Sequence, residues 1–82
     1  MNLEQEKFID FILERVEDPN QEVAKALLLK TFAYQENNPD NDVSSLMLNI
    51  IPLLKPDAIE EVTNIILYNA LWGNFRSIVL TI

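Results

Sequence analysis

Apolar residues recur at helical spacing along most of this chain, and each such run follows a helix start signal. In the first run Phe8, Ile9, Ile12, Leu13 and Val16 fall on one side, while Glu6, Asp10, Glu14 and Glu17 fall on the other. One face is expected to pack and one to be solvated, with Phe11 off the apolar side. In the second run Val23, Ala24, Ala26, Leu27, Leu28, Leu29, Phe32, Ala33 and Tyr34 leave only Lys25, Lys30 and Thr31 to break an apolar circumference. Such a helix is expected to be covered on several sides. The last run behaves likewise in its C-terminal half, where Asn69 alone interrupts Ile65, Ile66, Leu67, Tyr68, Ala70, Leu71 and Trp72.

The start signals sharpen the boundaries. Asn2-Leu3-Glu4-Gln5 has the form of a capping box, in which a side-chain acceptor takes one orphan N–H and the residue three further on reaches back. Asp18-Pro19-Asn20-Gln21 repeats it with Pro at the first helical position, Asp57-Ala58-Ile59-Glu60 is a third instance, and Asp40 or Asp42 is placed to cap the remaining helix. Gly73 suits a helix-ending residue in a left-handed conformation. Helices are therefore predicted over 3–17, 19–36, 42–54 and 57–72. Asn37-Asn38-Pro39-Asp40-Asn41-Asp42 divides them into two hairpins, because Asn, Asp and Pro favour turns. The expected fold is one all-α domain over residues 1–82: a compact antiparallel four-helix arrangement of two helical hairpins, with the second and fourth helices central and the acidic first outside. Beyond Gly73 the short apolar tail to Ile82 is rich in β-branched residues, which leaves both a strand and a last helical turn open. It is too apolar to stay free in water and should dock.

The two hairpins look alike. Phe8-Ile9, Ile12-Leu13 and Val16 match Leu46-Met47, Ile50-Ile51 and Leu54 at a shift of 38, and Glu22-Val23 and Leu27-Leu28 match Glu61-Val62 and Ile66-Leu67 at a shift of 39. Asp18-Pro19-Asn20-Gln21-Glu22-Val23 followed by Lys25 resembles the inter-helix turn of HEAT repeats, a family of stacked helical hairpins that bind other proteins. Lys55-Pro56-Asp57 departs from that turn, and two hairpins are fewer repeats than a solenoid needs. General amphipathic likeness is the expected source of the match.

Composition adds a surplus. The chain is 49% apolar with one Gly and four Pro, so it should fold, yet a body of 82 residues has a large surface for its volume. Some apolar side chains should stay exposed on the monomer, which points to a partner or a second copy. A net charge of -7, from 13 acidic and 6 basic residues, argues against direct nucleic acid binding and against anionic membrane surfaces. The longest uncharged run, Val62 to Phe75, is too short to span a bilayer, and the acidic N-terminus does not look like a signal peptide. A cytoplasmic protein is expected.

With no Cys and no His, thiolate chemistry, histidine bases and the usual transition-metal ligands are missing. Glu60-Glu61 make a poor acid and base pair, since adjacent helix positions point apart, whereas first-turn acids suit the helix dipole. Asp42-Val43-Ser44-Ser45-Leu46-Met47 resembles the prosthetic-group region of acyl carrier proteins, which are also small, acidic and four-helical, with Ser45-Leu46 in the motif position. Ser44 stands where that family has Asp, the preceding Gly is absent, and residues 19–36 read as helix where the family has a loop. Ser44 and Ser45 are therefore expected to cap a helix, and no cofactor or metal is expected. Two candidate surfaces remain. Tyr68, Trp72 and Phe75 form the densest aromatic group, of the kind interfaces favour, and they suggest a homodimer whose seam holds Trp72, Phe75 and the tail. The stripe Glu6, Asp10, Glu14 and Glu17 is either a solvated face or a surface that docks a basic protein partner or imitates the charge of DNA toward a DNA-binding one, as in a small phage or bacterial inhibitor or immunity protein. The function expected from sequence is protein–protein interaction without catalysis, with the inhibitor class as the alternative.

Overall fold

The computed structural model describes residues 1–73 and 75–80. Four α-helices and no strands occur among them: α1 (Leu3–Leu13), α2 (Gln21–Asn37), α3 (Ser44–Met47) and α4 (Ile59–Gly73). The expected all-α class and helical order hold. At the start of α1 the Asn2 side chain accepts the Gln5 N–H at 2.8 Å and the Gln5 side chain accepts the Asn2 N–H at 3.1 Å, so the capping box is complete. Before α3 the Asp42 carboxylate accepts the Ser44 N–H at 2.9 Å. The start signals at Asp18 and Asp57 act differently: each lies in a 3₁₀ turn, Asp18–Asn20 and Pro56–Ala58, that leads into α2 and α4.

Two boundaries differ from expectation. α1 stops at Leu13 and not near 17, because the Gln21 amide donates to the Leu13 and Val16 carbonyls at 2.6 and 3.0 Å and so satisfies groups that a further helical turn would have used. The third segment is a single α turn that tightens into the 3₁₀ stretch Leu48–Leu53. Pro52 lies inside that stretch and has no N–H to give the Leu48 carbonyl, so an α-helix through it would lose a hydrogen bond.

The hairpins are joined by a small antiparallel bridge between Val16 and Leu54. The Glu17 N–H donates to the Leu53 carbonyl at 3.1 Å and the Lys55 N–H donates to the Arg15 carbonyl at 2.9 Å. These bonds exchange under a shift of 38 residues, as do the bonds that close the turns, Asn20 N–H to Glu17 and Ala58 N–H to Lys55. The shift also carries the start of α2 onto the start of α4, and carries buried Ala24, Leu28 and Thr31 onto buried Val62, Ile66 and Asn69. The likeness of the halves is therefore structural from the bridge through the second helix of each hairpin, where one register of 38 holds, whereas α1 and the third segment differ in helix type and pair buried Phe8 with exposed Leu46. The 39-residue match is corrected, since it pairs exposed Val23 with buried Val62.

The core is built from α1, the inner stripe of α2, Val43, Met47, Ile50, Leu54 and the inner stripe of α4. Phe8, Phe32 and Phe75 meet edge to face, with ring centroids 5.6 to 6.4 Å apart. The expected placement of α1 outside and α2 at the centre is corrected. α1 buries Phe8, Ile9, Phe11 and Ile12, whereas α2 leaves Val23, Ala26, Leu29, Ala33 and Tyr34 exposed. Two of the residues that made α2 look all-round hydrophobic yet stay exposed, Ala26 and Ala33, are alanines, whose methyl groups are cheap to leave in water. Phe11 is buried because the Arg15 guanidinium lies 3.6 Å above its ring and donates to the Phe11 carbonyl.

Past Gly73 (φ 146°) the chain turns back, with Phe75 in the left-handed region at φ 67°. The described tail residues form neither strand nor helix. Ile78 and Leu80 pack on the core, and the buried Asn69 side chain grips Val79, accepting its N–H at 2.7 Å and donating to its carbonyl at 2.9 Å. Docking at Ile82 lies outside the described residues. Replacing Asn69 with Ala should release this clamp: the Val79 amide should lose hydrogen-exchange protection while helical circular dichroism stays unchanged. Phe75→Ala should act on the whole fold, lowering stability by roughly 3–5 kcal/mol in a denaturant titration through the cavity it leaves against Phe8 and Phe32.

Candidate functional site

α4 has two unlike sides. Its inner side carries Val62, Ile65, Ile66 and Asn69, which have the i, i+3, i+4, i+7 spacing of a packed face and are all buried. The opposite side carries Glu60, Asn64, Leu67, Tyr68, Leu71 and Trp72. Leu71 is 80% exposed, Trp72 63%, Leu67 52% and Tyr68 37%, so four large side chains in two successive turns stand in solvent. Tyr68 and Trp72, one turn apart, lean on each other with centroids 6.0 Å apart. Scattered exposed apolar residues are ordinary, but a contiguous cluster of this kind marks a contact surface.

The internal repeat shows what the scaffold itself requires there. A shift of 38 places Leu67, Tyr68, Leu71 and Trp72 on Leu29, Lys30, Ala33 and Tyr34 of α2. α2, entered through the same kind of 3₁₀ turn as α4, has a lysine and an alanine where α4 has Tyr68 and Leu71. Packing therefore does not ask for the aromatic and leucine at those positions.

Phe75, grouped with Tyr68 and Trp72 from sequence, belongs elsewhere. It is fully buried between Phe8 and Phe32, and its ring is part of the core and not of the outer patch. Nothing in the helical spacing announces this, because Phe75 lies beyond Gly73 and reaches inward only through its positive φ.

The acidic residues divide in the same way. Glu6, Asp10 and Glu14 are exposed along α1, but Glu17 lies past the helix end and is half-buried, its backbone N–H engaged in the bridge. Nor is the stripe free of cations. Lys7 and Lys25 line one shallow depression with Glu6 and Asp10, and Lys55 lines another with Asp10, Glu14 and Asp18. Arg15 pairs with Glu14 at 3.5 Å and, through Nε, with Glu61. Tertiary folding brings Lys25 and Lys55 to a face on which α1 itself supplies only the flanking Lys7.

A groove of about 590 Å³ runs between α2 and α3, lined by Leu27, Thr31, Tyr34 and Leu46 with Lys30, Asp42, Ser45 and Asn49 at its polar positions. Ser45 is exposed there, and the cap on α3 comes from Asp42 and not from either serine. Among the described residues no group of three or more acidic side chains converges as a metal site would need, and no helix is long and apolar enough to cross a membrane.

If the outer face of α4 serves contact and not folding, Leu71→Asp and Trp72→Ala should each change the unfolding free energy of the monomer by no more than about 0.5 kcal/mol, the usual range for surface substitutions. Urea titration at low protein concentration checks this, with Phe75→Ala as the destabilised control. No protein-family model, no curated protein and no solved structure matches the chain.

Proposed function

We propose that this chain is a protein-interaction module without catalytic activity, whose contact surface is the outer face of α4. The observation that supports it most is Leu71 and Tyr68 standing in solvent at positions where the equivalent hairpin makes do with Ala33 and Lys30. Covering one such side chain contributes about 1.5–3 kcal/mol, enough for a tenfold or greater effect on affinity from a single residue. The tilted Tyr68 and Trp72 rings add broad apolar faces with a polar tip each, which suits a surface that is wet when alone and dry when bound. A cytoplasmic setting agrees with a chain that has no cysteine.

The alternative is an inhibitor or immunity-type protein that docks a basic partner on Glu6, Asp10 and Glu14. Their exposure on one side of α1 and the net charge of -7 favour it. Lys7, Lys25 and Lys55 beside them weaken the local field, which makes this the less supported surface.

The two readings part on salt. An apolar contact through α4 should hold its partner as ionic strength rises from 0.05 to 0.5 M (roughly a threefold shorter screening length) and should lose it on Leu71→Asp. Replacing Glu6, Asp10 and Glu14 with the corresponding amides should leave capture unchanged. Capture that disappears with salt and with the amide variant, yet survives Leu71→Asp, would put the function on α1.

A further inference from the structure

We propose that the partner for the α4 face is a second copy of this chain, the two helices meeting antiparallel about a two-fold axis that passes between Tyr68 and Leu71. This rests on the interaction reading of α4 given above. The charge map singles out this occupant. A chain carrying -7 repels its own copy over most of its surface, and the run from Val62 to Phe75 is the longest stretch without a charge. The outer side of α4 carries charge only in its first turn, on Glu60 and on the partly exposed Glu61 that pairs with Arg15, and the four large apolar side chains lie about two to three turns beyond. Two copies that meet on Leu67, Tyr68, Leu71 and Trp72 therefore bring apolar surface together while their acidic residues stay apart.

Direction follows from the ends of the helix. The first turn of α4 holds Glu60 and Glu61, and its last turn holds no basic residue, but Arg76 follows three residues after Gly73 with its N–H bonded to the Gly73 carbonyl. The Arg76 side chain is half exposed and, among the described residues, donates to the Pro39 carbonyl and pairs with the solvated Asp40. Antiparallel pairing places the acidic first turn of each copy toward the Arg76 end of the other. Parallel pairing would stack Glu60 on Glu60. In the antiparallel register Tyr68 faces Leu71 of the other copy and Leu67 faces Trp72, so each aromatic ring covers a leucine and the patch is complementary to itself.

Size sets the strength. The exposed parts of the four side chains amount to on the order of 450 Å² per copy, taking roughly 200 Å² for a large side chain. Doubled and given a polar rim, that lies near the lower limit for a specific interface, so the dimer should be dissociable, with a Kd of about 1–100 µM.

Sedimentation equilibrium of the whole chain across a dilution series should show dimer at high micromolar and monomer at nanomolar concentration, and Leu71→Asp should weaken the dimer at least tenfold with unchanged circular dichroism. Because the chain has no cysteine, single-cysteine variants report direction without interference. Leu71→Cys should form a disulfide with its own copy under mild oxidation. Asn64→Cys should not, since its two copies would lie roughly 16 Å apart along the axis at 1.5 Å per residue. Self-crosslinking at Asn64→Cys overturns the antiparallel arrangement, and a dimer indifferent to Leu71→Asp overturns the α4 seam. A chain that stays monomeric throughout overturns self-pairing; if that monomer still captures a different protein through Leu71, the interaction reading stands without it.

Discussion

Two backbone hydrogen bonds, Glu17 N–H to Leu53 and Lys55 N–H to Arg15, set the plan of this molecule. Each contributes only about 0.5–1.5 kcal/mol net, but they sit where both hairpins turn, around the buried Val16 and Leu54, and leaving such groups unpaired would cost more than forming them gains. They explain why α1 ends early: Val16 must be extended to reach Leu54, so the helix has to stop before it. They also fit the two 3₁₀ turns, which lead into α2 and α4 from residues of nearly equal backbone conformation, Glu17 at φ -56°, ψ 139° and Lys55 at φ -61°, ψ 140°. The first hairpin adds a side-chain brace of its own, with Gln21 closing the end of α1 and the Asn20 amide reaching the Leu53 carbonyl at 3.3 Å.

The halves then diverge outward from a shared interior. Ala24, Leu28 and Thr31 of α2 and Val62, Ile66 and Asn69 of α4 face the same core from equivalent positions. Even the polar members serve locally, Thr31 bonding to the Leu27 carbonyl and Asn69 to that of Ile65, each one turn back. Asn69 has gained a second task in holding the tail, and the tail in turn delivers Phe75 to the core. Outside, Leu29 and Tyr34 of α2 answer to Leu67 and Trp72 of α4, but Lys30 and Ala33 stand where α4 presents Tyr68 and Leu71. Tyr68 and Leu71 are side chains that the shared interior of α2 and α4 does not call for.

Much of this could be read from the residues. The capping box at Asn2, the break from Asn37 to Asp42, the order of four helices and the exposed apolar surplus all follow from local chemistry that the fold leaves intact. The misses share one cause, which is that apolar spacing reports a preference and not the neighbour that satisfies it. Alanine counted as core in α2 although a methyl group tolerates water. Phe11 looked misplaced because its cover, Arg15, is a charged residue one turn away. Phe75 looked like surface because its route inward depends on a left-handed backbone that no helical pattern encodes. The cations near the acidic stripe, Lys25 and Lys55, come from other elements and are invisible along α1 itself.

The bridge between equivalent halves has a topological consequence. Val16 and Leu54 sit in the same setting under a shift of 38, and the bonds on either side of them are interchangeable, so the joint does not depend on which molecule supplies the opposite half. Only the connection around Asn38–Val43 makes the joint intramolecular, by letting α3 fold back beside α2. Shorten that connection until it cannot reverse, and the same bonds form most readily between chains, each lending its first hairpin to the other's second. The exchanged pair would keep the contacts around Val16 and Leu54 and leave both α4 faces uncovered.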